Sequence, residues 1–256
     1  MSSPRSIQKI AKAFETVEGG GVLIDRALPS REIPLDLVDP FLLLDEARID
    51  ASGPGFPEHP HRGFEILTYI LEGWGSHKDN LGNEGRIEAG GVMHLCAGSG
   101  IRHGESAGGK AAGVAHGIQF WVNLPLAEKK RPPSFKILHP EEVPVEAVEG
   151  ASTRVLVGPG SPLSMVTPMT YLDVSLQPGA AWSRDLDPAW QGYCYVLEGQ
   201  GKFGAQGAAG ADTDLLVLGP GDSISVRNDS DSALRFLLAA GQPLRQPIRW
   251  NGPFVD

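Results

Sequence analysis

Two short clusters of histidine and glutamate are the feature of this chain that best predicts chemistry. His59 and His61 are separated by one residue, and so are His103 and Glu105. Because alternate residues of an extended strand point the same way, each pair can present both side chains on one face. If the two pairs lie on neighbouring strands, they can close around one ion. Three imidazoles and one carboxylate therefore predict a metal site in a small β-barrel.

The donor types limit the ion. Imidazole and carboxylate without thiolate suit Fe(II), Mn, Ni, Co, Cu or Zn, and four protein ligands leave positions open on an octahedral ion. Open positions accept exogenous ligands, such as a substrate or dioxygen. For the His-x-His pair alone, chance clustering is the alternative interpretation. The second pair and the glycine turns before it, at 90–91 and 98–100, favour the metal site.

The composition favours an all-β chain. The 256 residues include 33 glycines and 21 prolines, which predicts many short strands joined by tight turns. Residues 69–75 recur in pattern at 195–201, which indicates an internal repeat. We expect a first barrel at 1–125, a charged, proline-rich linker at 126–137 and a second barrel at 138–256.

The second repeat is expected to lack metal. When Tyr69 is aligned with Tyr195, His59 and His61 fall on Asp185 and Asp187, and no histidine follows residue 139. Two aspartates in an Asp-Leu-Asp-Pro segment are typical of a solvated turn. The second barrel is interpreted as a packing partner that gates the substrate.

Charge and cysteine content argue against several classes of protein. A net charge of -9 disfavours direct nucleic-acid binding, which needs clustered Lys and Arg. The longest basic run, at 129–131, is expected to be a solvated loop. Cys96 and Cys194 cannot make a disulfide framework and are expected to be packing residues. Without an apolar N-terminal segment or a membrane span, we expect a cytoplasmic protein, also nuclear in a eukaryote.

The remaining polar candidates have less specific surroundings. His77 is expected to be a hydrogen-bonded surface residue at a strand-to-loop junction, and His139 to have no functional role. His116 precedes an apolar strand and is a candidate for orienting a metal ligand. Glu65 is expected to support the site from outside.

Several segments, taken together, resemble the pirin family of the cupin superfamily. They run in order from residue 56 to the C-terminus. The segments are FPEHPHRGFE (56–65), YILEG (69–73), NLGNEG (80–85), GSGIRHGE (98–105), HGIQFWVNLP (116–125) and GPFV (252–255). The resemblance implies a bicupin fold, with two tandem jelly-roll barrels facing each other. It also implies iron in the N-terminal barrel, held by His59, His61, His103 and Glu105.

The resemblance implies one of two functions. The first is a metal-dependent dioxygenase that cleaves flavonols such as quercetin. The second is a non-catalytic metal or redox sensor that binds a transcriptional or metabolic protein partner. A flavonol offers adjacent hydroxyl and carbonyl oxygens to an open metal site, and Glu105 is the candidate base for the hydroxyl proton. Phe56 and Phe64 are expected to line an apolar pocket.

Two positions depart from the family pattern. Residues 93–99 read MHLCAGS, where family members tend to carry QWMTAGR. His94 therefore replaces an indole, and Ser99 replaces an arginine. Neither position is a predicted ligand, but both changes alter the surroundings of the pocket. If Glu105 is not the base, His94 and His116 are the next candidates.

Overall fold

The computed structural model describes residues 3–50, 55–108 and 113–256. These residues are almost entirely β-structure, with single turns of 3-10 helix at Leu35–Leu37 and Leu126–Glu128. The predicted all-β class is therefore confirmed. In the described part of the chain, no helix has both the length and the apolar character needed to cross a membrane.

The described residues up to Leu138 form twelve strands. They are β1 (Ile7–Lys12), β2 (Phe14–Glu18), β3 (Val22–Leu28), β4 (Phe41–Asp50), β5 (Phe56–His61), β6 (Phe64–Glu72), β7 (Trp74–Asp79), β8 (Glu84–Glu88), β9 (Val92–Cys96), β10 (Ile101–Gly108), β11 (Val114–Asn123) and β12 (Ser134–Leu138). The second half continues the numbering. Its strands are β13 (Val145–Val148), β14 (Ala151–Val157), β15 (Met169–Leu176), β16 (Ala181–Asp185), β17 (Gln191–Glu198), β18 (Gln200–Phe203), β19 (Ala208–Ala211), β20 (Asp214–Leu218), β21 (Ser223–Arg227), β22 (Leu234–Gly241), β23 (Trp250–Asn251) and β24 (Phe254–Val255).

The strands form two compact units, and neither is continuous in sequence. The N-terminal unit consists of Phe14–Leu28, Phe41–Val143 and Leu244–Asp256. The C-terminal unit consists of the chain up to Ala13, Pro29–Pro40 and Pro144–Pro243. These units differ from the barrels expected at 1–125 and 138–256.

Strand pairing explains the difference. β1 pairs antiparallel with β20, which assigns the start of the chain to the C-terminal unit. At the other end, Val255 N donates to the Arg62 carbonyl at 3.0 Å, and Arg62 N donates to the Pro253 carbonyl at 3.3 Å. These bonds hold the last residues in the N-terminal unit. A pairing between distant segments leaves no local signal in the sequence.

In the described residues, the N-terminal unit contains two large antiparallel sheets and the two-stranded β23-β24 sheet. The larger has the strand order β12-β9-β6-β11-β4-β3-β2, and the smaller has the order β5-β10-β7-β8. Alternate residues of β6 point to the same side, as the two-residue period of a strand requires. Phe64 and Ile66 therefore share one apolar cluster with Leu95 and Val255.

The expected linker at 126–137 is partly structural. β12 pairs with β9, with Ser134 opposite Cys96 and Leu138 opposite Val92, so the end of this segment belongs to the larger sheet. The Pro and charged residues of this segment predict a connector, and they leave its short edge strand without a clear signal in the sequence.

Lys129 also departs from the expected solvated loop, because it is buried. Its Nζ donates to the Gly63 carbonyl at 2.8 Å, to Asn123 Oδ1 at 2.8 Å and to the Val255 carbonyl at 2.9 Å. An ammonium has three donors, and each has an acceptor here. Lys129 therefore joins the turn after β5 to the end of the chain.

The C-terminal unit repeats the same plan without the histidines. Its sheets have the orders β1-β20-β17-β22-β15-β14-β13 and β16-β21-β18-β19. Its interior is filled by a large apolar cluster that includes Trp182, Phe203, Cys194 and Phe236.

Asp185 and Asp187, which align with the histidine pair, are both exposed. Asp187 Oδ1 accepts a hydrogen bond from Ala189 N at 2.8 Å, as in an Asx turn. This contact agrees with the interpretation of the segment as a solvated turn.

We predict that Lys129→Met lowers the free energy of unfolding by roughly 2–4 kcal/mol, because it leaves buried acceptors without a donor. The neighbouring Lys130 is exposed, so Lys130→Met is the matched control and should change stability little. Urea unfolding measures both variants. Similar stability losses in the two variants would contradict the role of Lys129 as a buried cross-link.

Candidate metal centre

Pairing of β5 with β10 brings the three predicted histidines together. His103 lies directly opposite His59, and Ile101 lies opposite His61. The ring centroid of His59 lies 4.6 Å from that of His61 and 4.5 Å from that of His103. The centroids of His61 and His103 are 5.0 Å apart. One donor atom from each residue lies within 4.8 Å of the others. We call these residues the histidine trio.

Glu105 lies beside the trio and is held by neutral donors. Its Oε2 accepts from Gln119 Nε2 at 3.0 Å, and its Oε1 lies 3.1 Å from Thr68 Oγ1. The single proton of this hydroxyl is shared with Gln119 Oε1, which lies 2.8 Å from Thr68 Oγ1. Glu105 also offers an oxygen within 4.8 Å of ring nitrogens of His103 and His77. His103 therefore belongs both to this group and to the trio. The register of β10 shifts between His103 and Glu105, which gives Glu105 its own position relative to β5.

Unpartnered ring nitrogens mark the centre of the trio. Among the described residues, both nitrogens of His61 and Nε2 of His103 are buried without a hydrogen-bond partner. His59 Nδ1 lies 2.7 Å from the Pro57 carbonyl, which can only accept, so this nitrogen carries the proton and Nε2 keeps its lone pair. Buried polar atoms are normally paired. Lone pairs converging in one place fit a metal ion.

Burial keeps two of these imidazoles neutral. Desolvation lowers the pKa of His61 to about 3, helped by repulsion from His103 and His59. Desolvation likewise lowers the pKa of His103 to about 3, with repulsion from His59 and His77. A neutral imidazole is the form that binds a metal. His59 is only partly buried.

Aromatic side chains form the wall beside His61. The ring of Phe64 is 5.2 Å from that of His61, and the ring of Trp121 is 5.0 Å from it. Phe64 and Trp121 stack on each other at 4.3 Å, and Trp250 lies 6.1 Å from Trp121. The expected pocket residue Phe64 therefore contacts the site. Phe56 instead packs against the apolar cluster of β3 and β4.

Sequence reasoning missed Gln119 and Trp121. They alternate in β11 with Ile118, Phe120 and Val122, the apolar residues of the strand that follows His116. The opposite face of the same strand carries the site residues. Strand alternation was the available signal.

His77 corrects another expectation. It is 3% exposed rather than at the surface. Its Nδ1 lies 3.2 Å from His103 Nδ1, and its Nε2 lies 3.1 Å from Asp79 Oδ2. Its ring stacks on Phe135 at 4.2 Å. The His-x-Asp spacing in β7 was the signal that could have indicated a common face.

The other candidates pair among themselves. His94 Nε2 lies 2.9 Å from Glu65 Oε1, and both residues are buried. Glu65 alternates in β6 with Phe64 and Ile66, so it points away from the face that carries the trio. His116 Nε2 lies 2.7 Å from Glu46 Oε1.

Comparison with known proteins matches each half of the chain to a pirin family model. The family model described as Pirin matches residues 22–122, and the one described as Pirin C-terminal cupin domain matches residues 171–256. A pirin-like protein of Solanum lycopersicum is 38% identical over 259 residues, which cover 99% of this chain and 87% of the relative. Pirin of Homo sapiens is 37% identical over 262 residues, which cover 100% and 89%.

A solved structure is similar over the same length. It is a quercetin 2,3-dioxygenase from Acinetobacter baumannii, with a TM-score of 0.90 and 27% sequence identity. The match covers 99% of this chain and 92% of that one.

We predict that metal-free protein loses stability as the pH falls from about 6.5 towards 3. In that window unfolded histidines bind protons, whereas folded His61 and His103 stay neutral down to about pH 3, so acid favours the unfolded chain. His61→Leu should reduce the stability difference between pH 7 and pH 5 by about 2 kcal/mol. Urea unfolding at both pH values measures it. The control His139→Leu, at an exposed histidine, should keep the wild-type difference. A wild-type difference in His61→Leu would contradict the neutral state.

Proposed function

This chain belongs to the pirin family, and we propose that its N-terminal unit binds one metal ion through three imidazoles and one carboxylate. These ligands are His59, His61, His103 and Glu105. The observation that carries the proposal is the set of buried, unpartnered nitrogens on His61 and His103. Leaving such atoms unpaired is costly in a fold that has no other need of them.

Glu105 suits a role as ligand and base. Gln119 donates one hydrogen bond to its carboxylate, the Thr68 hydroxyl contacts it at 3.1 Å, and neither side chain carries a charge. A carboxylate accepts about four hydrogen bonds or equivalent contacts, so lone pairs remain for an ion or a proton. The two donors hold the carboxylate next to His103 without neutralising it.

We infer that the activity is oxygen-dependent cleavage of a flavonol such as quercetin, with Fe(II) as the metal. A bound ion would supply open positions for substrate oxygens and dioxygen. Glu105 would take the proton of the substrate hydroxyl. The half-buried Trp121, stacked on the buried Phe64, would offer a flat apolar surface to a planar ring system. The similarity to a quercetin 2,3-dioxygenase at a TM-score of 0.90 supports this class of reaction.

The first prediction concerns metal content. Protein loaded with Fe(II) without oxygen should hold about one ion per chain, and His61→Ala should lose most of it because one of few ligands is gone. Elemental analysis after desalting measures the ratio. His139→Ala is the control and should keep the wild-type content. A second tightly bound ion that disappears in Asp185→Ala would show that the C-terminal unit also binds metal.

The second prediction concerns turnover. Iron-loaded protein should consume quercetin and dioxygen together, and Glu105→Gln should slow this by about 100-fold or more because it removes the base. The amide keeps a neutral oxygen, so metal content should fall much less. Quercetin absorbance, oxygen uptake and metal content are measured on the same samples. The exposed Glu84 of β8 provides the control, Glu84→Gln, which should turn over normally.

Two outcomes would contradict this assignment. Normal turnover by fully loaded Glu105→Gln would place the base elsewhere. If fully loaded wild-type protein leaves a panel of flavonols untouched, while its affinity for a protein partner changes between ferrous and ferric states, the regulatory function replaces the enzymatic one.

A further inference from the structure

A fourth histidine, His77, contacts the histidine trio but is not one of the proposed ligands. His77 lies on β7, which pairs with β10 so that Asp79 is opposite His103 and His77 is opposite Glu105. Its Nδ1 is 3.2 Å from Nδ1 of His103, at hydrogen-bond distance. Two ring nitrogens at this distance need one proton between them, so one is a donor and the other an acceptor.

Asp79 decides which nitrogen donates. Its Oδ1 accepts from the backbone N of Leu81 at 2.9 Å and of Asn83 at 3.0 Å, and its Oδ2 accepts from Asn83 Nδ2 at 2.8 Å. This carboxylate is thus held as an acceptor. His77 Nε2, 3.1 Å from Oδ2, must carry the proton of that contact.

The hydrogen bonds from Asp79 through His77 to His103 form a chain, which we call the relay. The proton positions follow along it. Neutral His77 with a proton on Nε2 has a lone pair on Nδ1, so His103 Nδ1 donates to it. Neutral His103 with a proton on Nδ1 has its remaining lone pair on Nε2. That atom is buried and, among the described residues, has no hydrogen-bond partner. Nε2 is therefore the nitrogen that remains available to an ion.

Packing fixes the plane of the relay. The ring of His77 lies parallel to that of Phe135, with centroids 4.2 Å apart and an interplanar angle of 12°. Phe135 belongs to β12, the strand that lies in the segment expected to be a linker. His77 and Asp79 are 3% and 8% exposed, so water does not compete strongly for these hydrogen bonds.

We propose that His77 is a positioning residue, which holds His103 as the tautomer with Nδ1 protonated and Nε2 free for the metal. Asp79 sets the direction of the relay. This inference rests on the proposed metal function. A hydrogen bond to the outer nitrogen of a histidine ligand orients the ring and raises its basicity, and its loss typically weakens metal binding 10–100-fold.

A competing role for His77 is direct ligation. His77, His103 and Glu105 also offer donor atoms within 4.8 Å of one another. An ion in that position would take the nitrogens that the relay uses for hydrogen bonding. The two roles predict different metal affinities for a variant that keeps only a hydrogen-bond acceptor at the position of His77 Nδ1.

Four variants separate these roles, with Co(II) as the probe. His77→Phe keeps the stacked ring but removes the acceptor. His77→Asn keeps an acceptor oxygen near the position of Nδ1. Asp79→Asn places an amide donor opposite His77 and reverses the relay. The control is Lys78→Gln, because Lys78 is exposed on the other face of β7.

Co(II) affinity is measured by competition with a chelating dye, and the tautomer of His103 is read from histidine nitrogen-15 shifts in metal-free protein. We expect His77→Phe and Asp79→Asn to bind Co(II) about 10–100-fold more weakly. His77→Asn and Lys78→Gln should stay close to wild type. In His77→Phe, His103 should lose its single tautomer.

Unchanged affinity and an unchanged His103 tautomer in His77→Phe would overturn the proposal. Equal losses in His77→Phe and His77→Asn, as large as that of His61→Ala, would make His77 a ligand and also overturn it. If wild-type protein binds no Co(II), the proposed metal function fails on its own. The nitrogen-15 shifts still judge the relay then: a His103 tautomer that depends on His77 supports it, and one that does not overturns it.

Discussion

The desolvation of His61 and His103 is the constraint on which the site depends. Both rings are buried against aromatic and imidazole neighbours, and burial lowers their pKa values to about 3. Protonated imidazoles could not remain in contact there, because each would lose its hydration and repel the others. His61 and His103 are therefore held in the folded protein as neutral donors. Strand pairing between β5 and β10 holds those donors in place before any ion binds.

The C-terminal unit shows that the fold itself does not require this arrangement. Its sheets repeat the same strand plan, and its interior is closed by apolar side chains such as Trp182, Phe203 and Phe236. Such a core needs no polar pairing and gains free energy from burial alone. The N-terminal unit keeps polar side chains at the comparable place, which costs stability. Sites where a chain departs from the locally favourable choice are where function is expected.

Part of this architecture could be predicted from the sequence, because it depends on local periodicity. The spacings of His59 with His61 and of His103 with Glu105 follow the two-residue period of strands. The structure brings the three histidines together. His77 and Gln119 could not be placed so easily, since their roles depend on which strands become neighbours. The burial of Lys129 is hidden for the same reason: two of its three acceptors, the carbonyls of Gly63 and Val255, come from distant parts of the chain. The unit boundaries also depend on pairings, such as β1 with β20, that no local pattern records.

Proton release on metal binding tests the central claim, which is that His61 and His103 are neutral before the ion binds. The measurement is calorimetric titration of metal-free protein with Co(II) at pH 6, in two buffers with different heats of ionisation. Ordinary histidines are mostly protonated at this pH and must lose their protons to bind. Because His61 and His103 titrate at about 3, they should contribute almost no protons. Of the three imidazoles, this leaves at most His59 as a source, so wild-type protein should release no more than about one proton per bound ion. Release of about two or more protons per bound ion would contradict the account.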